Sequence, residues 1–380
     1  MNNLVRREIA TTASTIVVKV GTRVVTHQDG TLDEGQIARL GEELCQLIQM
    51  GRQVVLVSSG AVGAGMSQLK LTSRPQDVAR LQAVAAVGQA SLIEAYDRTF
   101  RKHDRTAAQV LLTADDLDDR TRYLNVRNTL RALLDFQTIP IVNENDTVAV
   151  DELMTTFGDN DRLAALVTNL LQAPLLVILS DVQGLFDGDP TEDSSRLIST
   201  VHTLDASVLD YVRDRHGGFG KGGMASKLNA ARIATTAGEN VIIASGREPN
   251  ALRRILEAEP VGTLILAQGK SISPRKRWIG FSAQPCGRIT VDRGAQHAIV
   301  QQGRSLLAIG VVRVEGEFRK GDLVTLCNQK GVEVARGLSN YHADDLQRIR
   351  GLHSDRIAQV LGHRPYEEVI HRDNMAVFQW

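Results

Sequence analysis

The sequence predicts an α/β protein in which a mostly parallel sheet is sandwiched by helices, followed by a smaller, mainly β C-terminal domain. Two observations carry this. Up to about residue 268, short β-branched or Leu-rich runs alternate with long helical patterns, and the runs lack the polar alternation of half-exposed strands. Beyond that point the texture changes to short strands separated by glycines and charged turns. The length agrees, because 380 residues exceed one ordinary core.

Taken in order, residues 15–20, 54–57, 139–142, 175–179 and 241–244 read as strands buried on both faces. Between and after them, residues 35–50, 80–101, 120–134, 161–171, 225–237 and 251–258 carry helical patterns. Strands alternating with helices build a parallel sheet covered on both sides. In the C-terminal part, residues 288–291, 311–314, 322–326 and 332–336 read as short strands, with a couple of helices. The expected division is a flexible N-terminal tail at 1–14, a first, α/β domain at 15–268, a linker at 269–284, and a second domain with the C-terminal tail at 285–380. The linker reading rests on a basic, Ser/Pro-containing stretch. Arg6 and Arg7 have no continuous apolar segment behind them, so a signal peptide is not expected and the first dozen residues read as a poorly ordered tail.

Composition narrows the partners. Lys and Arg number 44 against 44 Asp and Glu, so no global charge bias points to nucleic acid or membrane. No apolar run approaches a membrane span. Cys45, Cys286 and Cys327 are scattered and lack C-x-x-C spacing, which fits a reducing cytoplasm and disfavours a disulfide framework or zinc site.

Ligands on such sheets bind beyond the carboxyl ends of the strands, and here those ends are polar or glycine-rich. The first strand ends in Lys19-Val20-Gly21-Thr22, either a phosphate contact or a solvated lysine in an ordinary turn. The second runs into Ser58-Ser59-Gly60-Ala61-Val62-Gly63-Ala64-Gly65, whose small residues offer unhindered N–H groups to an anion or simply allow a tight βα turn. Asn143-Glu144-Asn145-Asp146 follows the strand at 139–142, and Phe157-Gly158-Asp159-Asn160-Asp161 opens the next helix. Each reads as a ligand-facing group or as turn and N-cap chemistry. Ser180-Asp181 ends the strand at 175–179 and begins a long loop. Residues 217–227 hold five glycines and two lysines, the strongest bias in the chain toward wrapping backbone around an anion. Gly218, Gly220 and Gly223 satisfy the spacing G-x-G-x-x-G, but the residues before them read as a helix end, whereas the dinucleotide motif needs a strand there.

Absences narrow the reaction. There is no G-x-S-x-G elbow and no H-E-x-x-H. Gly269-Lys270-Ser271 is preceded at the required spacing by Leu264, so there is no P-loop of the G-x-x-x-x-G-K-[ST] type. The nine histidines do not cluster at metal-ligand spacing. Phosphate handling without a histidine base suggests a nucleophile already ionised, such as a carboxylate, for which positioning and positive charge suffice.

In this order the motifs Lys19-Val20-Gly21-Thr22, Ser59-Gly60-Ala61, Asn143-Glu144-Asn145-Asp146, Phe157-Gly158-Asp159-Asn160-Asp161 and Gly222-Gly223-Met224-Ala225-Ser226-Lys227 resemble those of the amino-acid kinase family. Gln109-Val110-Leu111-Leu112-Thr113 and residues 122–134 share the likeness, which runs from about residue 15 into the C-terminal region. Residues 285–360 resemble a PUA domain. The resemblance implies the amino-acid kinase fold and ATP-dependent phosphorylation of the side-chain carboxylate of L-glutamate, giving L-glutamyl 5-phosphate, the first step of proline biosynthesis. It implies that Lys19, Lys227 and Asp161 are catalytic, the lysines flanking the transferred phosphoryl and Asp161 holding them. By the same likeness, Ser59, Asp146 and Asn160 bind the acceptor. Lys19, Gly21, Ser180, Asp181, Lys221, Gly222, Gly223, Met224, Ala225, Ser226 and Lys227 contact ATP, and Mg²⁺ arrives with the nucleotide, with no protein ligand assigned. Ser58 and Ser226 stand where the family more often has Thr, as does Lys221.

The resemblance further implies proline as a feedback inhibitor, a homo-oligomer, and functional coupling to glutamate semialdehyde dehydrogenase. Two rival readings remain. One is a kinase of the same fold acting on aspartate, acetylglutamate or carbamate. The other is an RNA-binding protein acting through the PUA-like domain. Residues 281–380 hold 13 Lys/Arg against 11 Asp/Glu, too near neutrality for strong phosphate-backbone binding.

Overall fold

A computed structural model describes residues 2–148, 160–190, 192, 194–204, 208, 223–268, 274–362 and 366–378. The chain divides into two compact units, one of residues up to 117 with 121–271, the other of 118–120 with the residues from 272 onward.

The first unit is built on an eight-stranded sheet. Its strands are β1 (Thr15–Val20), β2 (Gln53–Ser58), β3 (Ala107–Leu112), β4 (Ile139–Glu144), β5 (Leu175–Ser180), β6 (Thr200–Val201), β7 (Asn240–Ser245) and β8 (Thr263–Ile265), in the spatial order β3-β4-β2-β1-β5-β7-β8-β6. All neighbours pair in parallel except β7 with β8. Residues 16–20, 54–58 and 175–180 are buried throughout, as apolar runs without alternation require. The chain steps from β1 to β2 on one side of the sheet, then crosses from β4 back to β5 on the other side of β1, so the order reverses between β1 and β5. The crossover helix Asn160–Leu171 packs over β1, β2, β4 and β5. That reversal is where an open α/β sheet leaves a crevice for a ligand.

One expectation changes in this unit. The first residues are not a loose tail: Asn2–Thr12 is a helix. Ile9 and Ala10 are buried on it, and the buried Arg6 guanidinium donates to the carbonyls of Ser199 (2.7 Å), Val261 (3.0 Å) and Gly262 (3.0 Å). The glycine-rich stretch after Ser59 follows the close-packing alternative. It becomes helix Ala61–Gln68 at once, with Gly60 at φ 112° as the N-cap. Gly65 on this helix and Gly88 on helix Val78–Phe100 allow the two helices to pack closely. A Cβ on Gly65 would lie 1.8 Å from the Val84 carbonyl oxygen, and one on Gly88 1.7 Å from that of Ala61.

The second unit has a five-stranded sheet of β9 (Gly287–Val291), β11 (Val311–Gly316), β12 (Leu323–Cys327), β13 (Glu333–Leu338) and β15 (Met375–Val377), ordered β11-β9-β12-β13-β15. A two-stranded ladder of β10 (Leu306–Leu307) and β14 (Glu368–Ile370) accompanies it. Its core includes Ile289, Val324, Leu326, Tyr341, Ile349 and Val369. Residues 274–282, expected as linker, are helical and pack against β13 and β15, with the apolar side chains of Trp278 and Ile279 buried. Of the remainder of that expected linker, residues 269–273 lie outside the described residues.

Candidate active site

Strand tops β2, β1, β5 and β7 are stitched together by backbone bonds beyond their last ladder pairs. Ser59 N donates to Val20 O (3.2 Å), Gly21 N to Leu179 O (3.0 Å) and Gly246 N to Ser180 O (2.8 Å). Side chains leaving these ends are therefore fixed relative to one another.

Asp161 stands at the centre, fully buried in the first turn of the crossover helix. Its Oδ1 meets Lys19 Nζ at 2.5 Å and its Oδ2 meets Lys227 Nζ at 3.0 Å. Both lysines are themselves only 6% exposed at the side chain. Burial opposes the charge on Asp161, but the two ammonium groups outweigh it and hold its carboxyl below the ordinary carboxylate range. Two cations on one carboxylate leave a net positive charge in a dry place, where it attracts an anion far more strongly than in water. An ammonium group carries three N–H donors, a chemistry suited to phosphate oxygens.

Local sequence explains how the lysines arrive there. Lys19 lies on β1 one residue before its end, and Gly21 follows with its backbone close by: a Cβ on Gly21 would lie 3.7 Å from Lys19 Nζ. Lys227 is in the first turn of helix Met224–Ala237. Gly223 caps that helix in an extended conformation without a side-chain bond, leaving the first N–H groups and the helix dipole available to phosphate oxygens. Ser226 Oγ approaches Asp161 Oδ2 at 3.5 Å. Met224 and Ala225 occupy the same first turn. Lys221 and Gly222 lie outside the described residues, as does the run 217–222 that gives the glycine bias and the dinucleotide spacing.

The residue before Asp161 serves a second, neutral cluster. Asn160 Nδ2 donates to Ser59 Oγ (2.8 Å), to Asn143 Oδ1 (3.0 Å) and to the Ser58 carbonyl (3.4 Å). Its amide thus ties the ends of β2 and β4 together instead of capping its own helix. Asn143 Oδ1 also accepts from Glu144 N at 2.9 Å. Beneath this cluster Ser58 Oγ bonds the Tyr96 hydroxyl at 3.2 Å. Burial pushes the Tyr96 phenol up to about 12, so it stays neutral. Asp146 sits half-buried in the turn that follows β4.

On the far side of β1, Ser180 Oγ donates to Asp181 Oδ1 (3.0 Å), and Asp181 Oδ2 accepts from Arg23 Nη1 (3.0 Å). Burial disfavours the Asp181 carboxylate, but Arg23 and Ser180 more than offset this and lower its pKa. The expected residues therefore fall into three groups around the β1/β5 crevice: Lys19, Gly21, Asp161, Ser226 and Lys227; Ser59 and Asn160; Ser180 and Asp181. Sequence reasoning gave no role to Asn143 or Arg23. Asn143 was visible as the first of four consecutive polar residues, whereas nothing about Arg23 in the sequence signals its pairing across the crevice.

Residues 14–245 match the amino acid kinase family and residues 287–361 the PUA domain. The chain is 50% identical over 373 residues to the protein named glutamate 5-kinase of Rhodopirellula baltica, covering 98% of this chain and 96% of that one. It is 48% identical over 362 residues to glutamate 5-kinase of Thioalkalivibrio sulfidiphilus, covering 95% of this chain and 96% of the relative. Glutamate 5-kinase of Nostoc punctiforme is also 48% identical, over 365 residues, with 96% and 99% covered. With the buried lysine–aspartate–lysine cluster at the reversal of a parallel sheet, the match places the chain plainly: it belongs to the amino acid kinase family.

Proposed function

We propose that this chain transfers the γ-phosphoryl group of ATP to the side-chain carboxylate of L-glutamate, giving L-glutamyl 5-phosphate and ADP as the first step of proline biosynthesis. The observation that carries the reading is the Asp161 cluster. The near full-length likeness to relatives named glutamate 5-kinase supplies the acceptor.

A carboxylate oxygen of the acceptor bonds to the γ-phosphorus while the bond from that phosphorus to the β,γ-bridging oxygen breaks, and ADP keeps the electron pair. The acceptor is ionised at neutral pH, so no general base is required. The protein's work is positioning and charge. Lys19 and Lys227, held apart on the two oxygens of Asp161, offset the charge on the equatorial oxygens of the transferring group. N–H groups at the start of helix Met224–Ala237, with Ser180 and Asp181, hold the rest of the nucleotide. Ser59 and Asn160 orient the acceptor, with Asp146 as the partner for its ammonium group. Mg²⁺ bound with the nucleotide neutralises phosphate charge. The lysine-rich donor set of Lys19 and Lys227 fits phosphate oxygens better than a cation, and no protein ligand is assigned to Mg²⁺.

We place the catalytic domain within residues 15–268 and a PUA-like domain of structural or regulatory role within 285–380. No helix among the described residues is long and apolar enough to cross a membrane. Cys45, Cys286 and Cys327 are free thiols, which suits a cytoplasmic enzyme. The reading includes inhibition by proline, a homo-oligomer, and coupling to a dehydrogenase that consumes the labile acyl phosphate. Excess proline should lower turnover; unchanged rates remove that part. The deciding assay is ADP formation over a panel of glutamate, aspartate, acetylglutamate and carbamate. Turnover with glutamate supports the proposal, and turnover with aspartate but none with glutamate refutes it.

A further inference from the structure

Gln89 lies in helix Val78–Phe100 with 6% of its surface exposed, and neither Oε1 nor Nε2 has a hydrogen-bond partner among the described residues. Burying both ends of a primary amide unpaired is costly, and a native structure that does so needs a reason.

Its neighbours along the helix say what it faces. Asp97, near the helix C-terminus, accepts from Ala107 N at the start of β3 (3.0 Å), so that end lies beside the amino ends of the strands. One residue earlier, Tyr96 reaches Ser58 at the carboxyl end of β2. Leu92 Cδ1 would lie 3.9 Å from a Cβ on Gly60, and Gly88 packs against the Ala61 carbonyl. Moving toward the helix N-terminus therefore moves toward the carboxyl edge of the sheet. Gln89 precedes Tyr96 by about two helical turns and points along nearly the same line. That line passes Ser58 and arrives at the level of Ser59, Gly60 and Ala61, where the neutral cluster with Asn160 begins.

We propose that Gln89 contacts the acceptor amino acid directly, Nε2 donating to a carboxylate oxygen and Oε1 accepting from the ammonium group. This deepens the glutamate reading and rests on it. An uncharged amide offers both donors and an acceptor, which suits a head group carrying a carboxylate beside an ammonium. Among the described residues these atoms have no protein partner, which leaves both ends of the amide available to the acceptor.

The test compares the full-length wild type with Gln89→Leu, measuring kcat, KM for glutamate, KM for ATP and the melting temperature. The expected result is a rise of about tenfold or more in KM for glutamate, the loss of a hydrogen bond to a charged group. KM for ATP should stay within about twofold, and the melting temperature should hold or rise because no protein partner is lost. An unchanged KM for glutamate overturns the proposal and makes Gln89 a packing residue, whatever the melting temperature does. Should Gln89→Leu fail to fold, Gln89→Met keeps the chain length and carries the same measurement. If the wild type turns over a different amino acid, the glutamate reading falls and the KM comparison on that amino acid decides Gln89.

Discussion

Asn160 and Asp161 are consecutive residues in the first turn of one helix, yet they organise opposite kinds of chemistry. Asp161 gathers two buried ammonium groups, whereas Asn160 gathers a hydroxyl, a carbonyl and a second amide without any formal charge. A hundred degrees of helical rotation separates them. Under the proposed reaction, the contrast teaches how one short segment can serve both halves of a transfer. Developing phosphate charge demands fixed cations, while choosing among small amino acids demands directional hydrogen bonds that a competing anion cannot saturate.

The largest effect expected from breaking this division is on kcat. Lys227→Ala should lower it by about a hundred- to a thousandfold, the range seen when one transition-state donor is removed. KM for the acceptor should change little, because Lys227 sits on the charged side. Steady-state kinetics decides it: a large rise in acceptor KM with kcat kept would dissolve the division. Asp161→Asn comes next and strikes stability as well as rate. It leaves two ammonium groups buried without their counter-charge, at a cost of about 3–5 kcal/mol. Urea unfolding measures this, and a variant as stable as wild type contradicts the account.

The pH dependence of the charged side has a definite sign. Asp161 has a carboxyl pKa lowered in the folded protein, so its contribution to stability is fully present above the ordinary carboxylate value of 3.8. That contribution is lost as pH falls below 3.8 toward the depressed folded value. Unfolding midpoints measured from pH 7 to pH 3 should show the Asp161 contribution, taken as the difference from Asp161→Asn, intact down to about pH 4. A difference that vanishes between pH 5 and 7 contradicts this. On the neutral side, Asn160→Ala should raise acceptor KM by about tenfold, since it leaves Ser59 and Asn143 without their shared donor. The smallest effect is outside both clusters. The Arg23–Asp181 pair has side chains 84% and 38% exposed, so Arg23→Ala should cost no more than about 1 kcal/mol of stability and should matter less in high salt.

How much of this was legible depended on how locally each feature is encoded. β1, β2, β4, β5 and β7 could be read because strands buried on both faces need unbroken apolar runs. β3 could not: it is the edge strand, half-exposed along most of its length, and begins Ala-Ala-Gln, which carries neither alternation nor strong β propensity. Helix Ala61–Gln68 was hidden by Gly63 and Gly65, poor helix formers retained because the next helix approaches too closely for a side chain at Gly65. Arg6 looked like part of a solvated tail because its carbonyl partners lie 193 to 256 residues away in the chain. The lysines, Asp161, Ser59 and Asn160 were legible through motif resemblance. The spacing alone left each with an ordinary structural alternative, and their convergence across β1, β2 and two helices supports the proposed site. Gln89 had no signal at all, since a glutamine in a helix ordinarily reads as solvated.

The central claim is that charge drives the transfer and amides select the acceptor. One paired measurement tests it most directly: kcat and glutamate KM for Lys227→Ala beside Asn160→Ala, with ATP saturating. The account predicts a crossed pattern, with kcat collapsing and KM nearly kept in Lys227→Ala, and KM rising with kcat falling far less in Asn160→Ala. The same pattern in both variants, or the reverse assignment, would contradict it.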